Sequence, residues 1–298
     1  MKKLTLISLL SSTLLFANIN AIVSILPQKT FVEAIGGDKV NVALMVLPGN
    51  SPHTYEPKPS QMKDVAGAEL YFAIGVEFEN VWLDKFKNLN KRMQVIKLSS
   101  GIEKLLMTAH HDEAHDDEAH DEHHDEHHEE EHAEEHQGND PHIWTSPDNV
   151  KIIAGNIYEA LTKADPANES YYKLNFQKFI SLIAETDRKI KSILSNRPKG
   201  TKFMVFHPSW GYFAQAYGLK QLPVELEGKS PKPKELIALI KEAKEEQISA
   251  IFTQPEFSDS IAKVMANELH IKVIKVSPLA PNWSENLINI ANAIADKE

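Results

Sequence analysis

The chain has 298 residues, of which 42% are hydrophobic and 25% charged, values that are ordinary for a soluble globular protein with one large domain or two average ones. It contains no cysteine, which excludes disulfides, thiolate zinc sites, iron–sulfur clusters, thiol catalysis and a lipid-modified N-terminal cysteine. The formal net charge is −10, but residues 110–136 hold fourteen Asp and Glu and neither Lys nor Arg, so the rest of the chain carries +4. Because no basic cluster stands out, nucleic-acid binding is not expected.

The first segment, residues 1–21, has the pattern of a secretory signal peptide. A positively charged start is followed by an apolar run over 4–16 and by small residues at Ala17 and Ala21. The run is too short for a membrane-spanning helix, which needs about 20 apolar residues. We expect cleavage after Ala17 or Ala21 and a mature protein in a bacterial periplasm, and a buried N-terminal helix is the alternative.

Strand-like and helix-like segments alternate in the next part of the chain and again after residue 200. Predicted strands lie at 21–26, 40–46, 69–74, 94–98, 202–206, 219–225, 250–253 and 272–276. Predicted helices lie at 28–35, 60–66, 78–89, 211–216, 234–246, 258–269 and 284–295. This alternation indicates an α/β protein with two lobes, each a mainly parallel sheet flanked by helices.

One long helix is predicted between the two lobes, from Pro166 to about Leu194, with Asp165 as its N-cap. Its apolar residues follow a 3- and 4-residue spacing at Phe176, Phe179, Ile180, Ile183, Ile190, Ile193 and Leu194. At 1.5 Å per residue such a helix spans about 40 Å and could brace two lobes rigidly. Two shorter helices are the alternative. The expected organisation is a signal peptide over 1–21, a first lobe over 22–164, a linking helix over 165–196 and a second lobe over 197–298.

Residues 110–136 form an insert that contains only His, Asp, Glu and three alanines. It has too few apolar residues to offset the entropy of ordering, so a mobile loop is expected in the absence of metal. The insert holds ten histidines, namely His110, His111, His115, His120, His123, His124, His127, His128, His132 and His136. Imidazole and carboxylate groups bind zinc, copper and nickel, so the insert is predicted to be an auxiliary metal-binding loop. A solvated acidic linker without a metal is the alternative.

Three of the four remaining histidines share a setting beside proline in predicted loops or strand ends. They are His53 after Pro52, His142 after Pro141 and His207 before Pro208. Ligands of parallel α/β proteins bind at the carboxyl ends of strands, so these side chains could meet between the lobes. Three imidazoles and one oxygen make a tetrahedral zinc site. The fourth, His270, lies at a predicted helix end and is expected to interact with the helix dipole.

Four aromatic residues lie close in sequence to these histidines, and two roles are open for them. Tyr55, Trp144, Trp210 and Tyr212 could wall a metal site and exclude water, or they could simply pack in the core.

Four segments carry a resemblance to a known family. They read PHTYEPKPSQ, NDPHIWTSP, VFHPSWGYFAQAYGL and FTQPEFS. With the acidic histidine-rich insert between the first two, the chain resembles the periplasmic zinc- and manganese-binding proteins of bacterial ABC transporters, closest to the high-affinity zinc-uptake branch. The resemblance implies two lobes joined by one rigid helix, with His53, His142 and His207 as ligands of a metal held between them.

The resemblance also bears on the fourth ligand and on metal choice. Manganese-binding members have a late aspartate where this chain has Val276-Ser277-Pro278-Leu279-Ala280, which offers no carboxylate. We therefore expect Zn²⁺ to be preferred over Mn²⁺, with water, Glu56 or Glu256 as the fourth ligand.

The leading functional hypothesis is capture of Zn²⁺ and delivery to a membrane permease that a cytoplasmic ATPase drives. No GxxxxGK[ST] phosphate loop is present in the sequence, so the energy must come from that partner. The chain is expected to be a monomer and not an enzyme. Three alternatives remain: a manganese-binding or other divalent-metal protein of the same transporter class, a three-histidine zinc hydrolase, and a metal buffer or adhesin. The hydrolase has little support, since HExxH and GxSxG motifs are absent.

Overall fold

The computed structural model describes residues 18–107, 138–225 and 230–295. The strands are β1 (Ile19–Val23), β2 (Val40–Leu44), β3 (Leu70–Ala73), β4 (Gln94–Lys97), β5 (Lys202–Val205), β6 (Lys220–Pro223), β7 (Ala250–Thr253) and β8 (Lys272–Lys275). The helices are α1 (Leu26–Gly36), α2 (Pro59–Gly67), α3 (Glu77–Leu89), α4 (Pro147–Ala164), α5 (Glu169–Leu194), α6 (Gly211–Tyr217), α7 (Pro233–Glu245), α8 (Ser260–Leu269) and α9 (Trp283–Ala295).

The strands form two four-stranded sheets that have the same spatial order. The first runs β2-β1-β3-β4 and the second β6-β5-β7-β8, and every strand pair is parallel. The inner strands β3 and β7 are buried throughout and, apart from Thr253, lack strongly polar side chains, as expected for strands covered on both faces. The edge strands β4 and β8 are more exposed and end in lysine, which discourages pairing with another sheet edge. The predicted two-lobe α/β class is confirmed.

The long helix α5 joins the two lobes, as predicted. A 3₁₀ turn at Pro166–Asn168 precedes it, so the α-helix begins three residues later than its predicted first residue. Its buried side chains are Tyr172, Phe179, Ile183, Thr186, Ile190 and Leu194. This face packs against α1 and α4 of the first lobe and against α9 at the end of the second. This helix of 26 residues therefore contacts both lobes.

Helix α4 was not predicted, although 18 residues form it. Its buried residues Val150, Ile153, Ala154, Ile157 and Leu161 recur at 3- and 4-residue spacing, and Pro147 occupies the first helical position. The periodicity was therefore present in the sequence. Helix α4 forms the surface on which α5 lies.

Direct hydrogen bonds hold the lobes together near the start of α4. The indole Nε1 of Trp144 donates to the carbonyl of Pro278 at 2.8 Å, and Nε1 of Trp283 donates to the carbonyl of Trp144 at 2.7 Å. Thr30 Oγ1 donates to the carbonyl of Pro281 at 2.9 Å. The larger hydrophobic core extends from the first sheet through α5 into the second lobe. No helix of the described segments has the length and apolar character needed to cross a bilayer.

Candidate metal centre

The three histidines predicted to bind a metal lie together between the lobes. His53 follows β2, His142 precedes the 3₁₀ turn that leads into α4, and His207 lies two residues beyond β5. One ring nitrogen of each lies within 4.8 Å of one from each of the others. Within the described ranges, no other group of His, Cys, Asp or Glu is similarly compact.

The spacing of one pair of ring nitrogens suits a tetrahedral ion. The Nε2 atoms of His53 and His207 are 3.2 Å apart. Two nitrogens bound at 2.0–2.1 Å with tetrahedral angles are about 3.3 Å apart. The pair therefore already has the separation that zinc would impose.

A carboxylate lies beside Nδ1 of each histidine. Nδ1 of His142 is 2.7 Å from Oδ1 of Asp140, and Nδ1 of His207 is 2.9 Å from Oε2 of Glu225. Nδ1 of His53 is 3.1 Å from Oε2 of Glu77. An ionised carboxylate only accepts hydrogen bonds, so in the neutral ring the proton lies on Nδ1 and the lone pair of Nε2 is available to a metal. This carboxylate–histidine arrangement is typical of metal sites.

The three histidines are not held equally firmly. His142 and His207 are 3% and 7% exposed, and Asp140 and Glu225 are buried with them. The side chain of His53 is 24% exposed, and that of Glu77 is 43% exposed. Oε2 of Glu77 accepts no well-aligned hydrogen bond within the described residues, although Nδ1 of His53 is close to it. His53 is therefore the least restrained of the three.

The pKa values of the histidines differ in the same way. Burial lowers the pKa of His53, but contact with Glu77 and the charges of Glu77 and Glu225 outweigh burial, so the pKa lies above its usual value. Burial lowers the pKa of His207, and the hydrogen bond with Glu225 offsets this only partly. Burial raises the pKa of Glu77, but His53 more than compensates, so this carboxyl has a lowered pKa. His207 thus favours the neutral form that binds metal, whereas His53 gains a proton more readily.

Gln61 fixes the proline-rich loop that holds His53. Its Oε1 accepts hydrogen bonds from Tyr55 OH at 2.8 Å and from the Lys58 backbone N–H at 2.9 Å. Its Nε2 donates to the carbonyls of Leu44 and Met45 at the end of β2. The glutamine that ends PHTYEPKPSQ therefore ties this loop to the sheet.

Gln254 and Phe257, from the FTQPEFS segment after β7, surround His207. Gln254 Nε2 donates to the carbonyl of His207 at 3.0 Å and to Ser209 Oγ at 2.8 Å. The ring of Phe257 stacks on that of His207, with centroids 4.7 Å apart. Through these two contacts, the FTQPEFS segment supports the backbone and the ring of His207.

The four aromatic residues for which two roles were open are all buried. Trp144 lies beside a predicted ligand, since its ring centroid is 5.3 Å from that of His142. Tyr55 packs against Phe78, and Trp210 packs against Phe213. Tyr212 donates to the carbonyl of Asp140 at 3.2 Å. The wall role therefore fits Trp144, while the ring contacts of Tyr55 and Trp210 are with core aromatics.

The other candidate residues lie apart from this cluster. Glu56 is exposed, and Glu256 accepts a hydrogen bond from Ser277 Oγ at 2.9 Å. Among the residues that the structure describes, neither carboxylate belongs to the group of three histidines. His270 is the C-cap of α8, at the helix end expected for it. The insert at 110–136, with its ten histidines, lies outside the described residues.

The comparisons with known proteins identify the family. The model of the family described as zinc-uptake complex component A, periplasmic (ZnuA), matches residues 22–297. The chain belongs to this family. That membership confirms the resemblance carried by the four motifs and places the chain outside the cytoplasm. A family of transport components also confirms the expectation of a protein that is not an enzyme.

Relatives and solved structures agree with this membership. The high-affinity zinc uptake system protein ZnuA of Haemophilus influenzae is 34% identical, and the match covers 94% of this chain and 92% of that protein. Two crystal structures of ZnuA, one of them a deletion mutant with zinc bound, match this chain with a TM-score of 0.81 and 38% identity. Each match covers 93% of this chain. The first covers 98% of the ZnuA chain, and the second covers 97% of the deletion mutant. The zinc-binding protein AdcA of Streptococcus pyogenes is 26% identical over 88% of this chain but only 50% of its own length. The chain thus spans about half the length of this curated relative.

Proposed function

We propose that the chain captures Zn²⁺ between its two lobes and delivers it to a membrane permease for uptake. His53, His142 and His207 bind the ion through Nε2. The observation that carries this proposal is the convergence of three histidine rings. Each ring has its Nδ1 atom beside a carboxylate. Such carboxylates fix the tautomer and strengthen the imidazole as a ligand.

The ligand set favours zinc over manganese. Three imidazoles suit Zn²⁺, whereas Mn²⁺ prefers carboxylate and other oxygen ligands. The described residues place no carboxylate in the group of ligand atoms. Water therefore completes the tetrahedron, while Asp140 and Glu225 stay hydrogen-bonded to Nδ1 atoms and Glu77 stays beside Nδ1 of His53.

Delivery requires partners that supply the path and the energy. The chain has no phosphate-binding loop, so we infer an ABC permease with a cytoplasmic ATPase as its partner. Both halves of the site come from one chain, so a monomer in the periplasm is sufficient to bind the ion. The rigid contact of α5 with both lobes limits closure around the ion to a small tilt.

The signal peptide is removed after Ala17. Strand β1 begins at Ile19, and Ile19 and Ala21 are 3% and 1% exposed. Cleavage after Ala21 would remove three of the five residues of this inner strand, whereas cleavage after Ala17 leaves it whole. The mass of the secreted protein tests this choice, since an N-terminus at Ile22 would contradict it.

The histidine-rich insert serves as an auxiliary zinc trap. The described residues at its two ends pair with each other, since Met107 N–H donates to the Gly138 carbonyl at 3.0 Å and Asp140 N–H donates to the Leu105 carbonyl at 2.8 Å. This pairing brings the segment before the insert beside the segment after it, which reaches His142 two residues beyond Asp140. Many imidazoles on one tether raise the local concentration of ligands near the central site.

Competitive titration of the mature protein with Zn²⁺ and Mn²⁺ tests the proposal. We expect one tight zinc site per chain, weaker zinc binding at the insert, and much weaker binding of manganese. A His270→Asn variant is the matched control, since this histidine lies outside the cluster and Asn tolerates its positive φ of 55°. Equal affinity for the two metals, or no tight zinc site, would contradict the proposal.

A further inference from the structure

The carboxylate that orients His142 rests against the opposite lobe. Asp140 belongs to the first lobe and is 1% exposed. Its Oδ1 accepts hydrogen bonds from the backbone N–H and from Nδ1 of His142, at 2.8 and 2.7 Å. Its Oδ2 faces Gly211, the first residue of α6 in the second lobe. The orientation of a ligand of the first lobe thus depends on a surface of the second.

Gly211 provides space that a larger residue would fill. A Cβ at this position would lie 2.7 Å from Oδ2 of Asp140 and 3.3 Å from Nε2 of Gln221. Non-bonded heavy atoms prefer separations of about 3.5–4.0 Å, so the carboxylate would have to move. Gly211 is not among the glycines with a positive φ. The requirement for glycine is therefore one of space and not of backbone conformation.

Tyr212, the next residue, holds the backbone of Asp140. Its hydroxyl donates to the Asp140 carbonyl at 3.2 Å and accepts from the Leu105 backbone N–H at 3.0 Å. Leu105 and Asp140 lie on the paired segments at the two ends of the insert. Tyr212 is 2% exposed, so these hydrogen bonds are shielded from water. One buried hydroxyl therefore ties both segments to α6.

We propose that Gly211 and Tyr212 form a cross-lobe seat for Asp140, and that this seat sets the orientation of His142 as a zinc ligand. The inference rests on the proposed function, because it assigns positioning residues to the same site. Neither residue touches the metal. The seat makes the geometry of a first-lobe ligand depend on how the second lobe is docked.

Gly211→Ala tests the seat with the full mature protein and zinc as the probe. We expect zinc affinity to fall about 10- to 100-fold, the range for loss of a partner that orients a ligand. Tyr212→Phe keeps the ring and loses only the hydroxyl, so a smaller loss of about 2- to 10-fold is expected. The matched control is Gly155→Ala, since Gly155 lies within α4 and a Cβ there meets nothing within 4 Å.

NMR of the histidine rings separates positioning from a general loss of structure. In Gly211→Ala the Nδ1–H signal of His142 should shift, while that of His207 should remain as in the wild type. Wild-type affinity, or weakened affinity with an unchanged His142 signal, would overturn the seat. If Gly211→Ala does not fold, the same two readouts on Tyr212→Phe decide the matter. A His142→Ala variant distinguishes the two proposals, because unchanged tight zinc binding in it would refute the ligand set itself.

Discussion

The two lobes have the same strand order, yet the polar residues that follow the equivalent strands β1 and β5 make different contacts. Beyond β1, the Ser24 hydroxyl bonds to Tyr71 and Glu79 in a buried network. Beyond β5, His207 bonds to Glu225 and points its other nitrogen at His53. The topology places polar groups at the same edge of each sheet. Whether that edge becomes a closed network or a metal site depends on the side chains.

The lobes also differ in how they hold their ligands. The second lobe supplies His207 directly after a central strand, where Glu225 and Gln254 restrain its ring and backbone. The first lobe supplies His142, which is buried beside Asp140, and also His53, which comes from a long loop and contacts Glu77, a side chain that is 43% exposed. The site thus combines a rigid part with a more adjustable one. The comparison predicts that equivalent substitutions beside His207 and beside His53 have unequal effects.

Removal of a ligand from the rigid part should have the largest effect. His207→Ala leaves two imidazoles, and we expect zinc affinity to fall by more than about 100-fold, above the range for residues that only orient a ligand. The fold should persist because each lobe retains its sheet and most of its core. Competition with a chelator measures the affinity, and circular dichroism monitors the fold. Tight binding in a folded His207→Ala protein would remove this histidine from the ligand set.

Removal of an orienting carboxylate should have a smaller effect that differs between the lobes. Glu225→Gln removes the buried acceptor from His207, so an affinity loss of about 10- to 100-fold is expected. Glu77→Gln should cost less than about 10-fold, because the Glu77 side chain is 43% exposed and its Oε2 is poorly aligned with Nδ1 of His53. Isothermal titration of both variants measures the contrast. Equal losses would show that the two histidines are restrained equally.

The pH dependence of binding should depend on His53. Its raised pKa favours the protonated ring, which cannot bind metal, so zinc affinity should decrease as pH falls through that pKa. The pKa of His207 is lowered, so protons should compete with zinc for this ring only at a lower pH. In Glu77→Gln the carboxylate that raises the pKa of His53 is lost, so the decrease in zinc affinity should occur at a lower pH. Affinity profiles of the two proteins that superimpose after scaling would contradict this assignment.

Deletion of residues 110–136 should have the smallest effect on the tight site. The ten histidines of the insert are separate from the three clustered ones, so the number of bound zinc ions should fall while the tight affinity changes little. A replacement of the insert by a Gly/Ser linker of equal length is the matched control for chain connectivity. Loss of tight binding in both proteins would show that the insert supplies a ligand to the central site.

The sequence predicted the lobes, the linking helix and the three histidines, because strand periodicity and proline-flanked motifs are local signals. The orienting carboxylates were missed for different reasons. Asp140 lies only two residues before His142, so its role was within reach of the sequence. Glu225 ends a predicted strand and could have been placed beside His207 by the rule for parallel sheets. Glu77 has no such signal, because only the tertiary fold brings the start of α3 beside His53.

A crystal structure of the zinc-loaded protein, with anomalous scattering measured at the zinc edge, tests the central claim most directly. The account predicts a zinc ion at about 2.0–2.1 Å from Nε2 of His53, His142 and His207. It also predicts that Asp140, Glu225 and Glu77 remain at the Nδ1 atoms. An anomalous peak held only by the insert, or a zinc ion bound by histidines from one lobe alone, would contradict it.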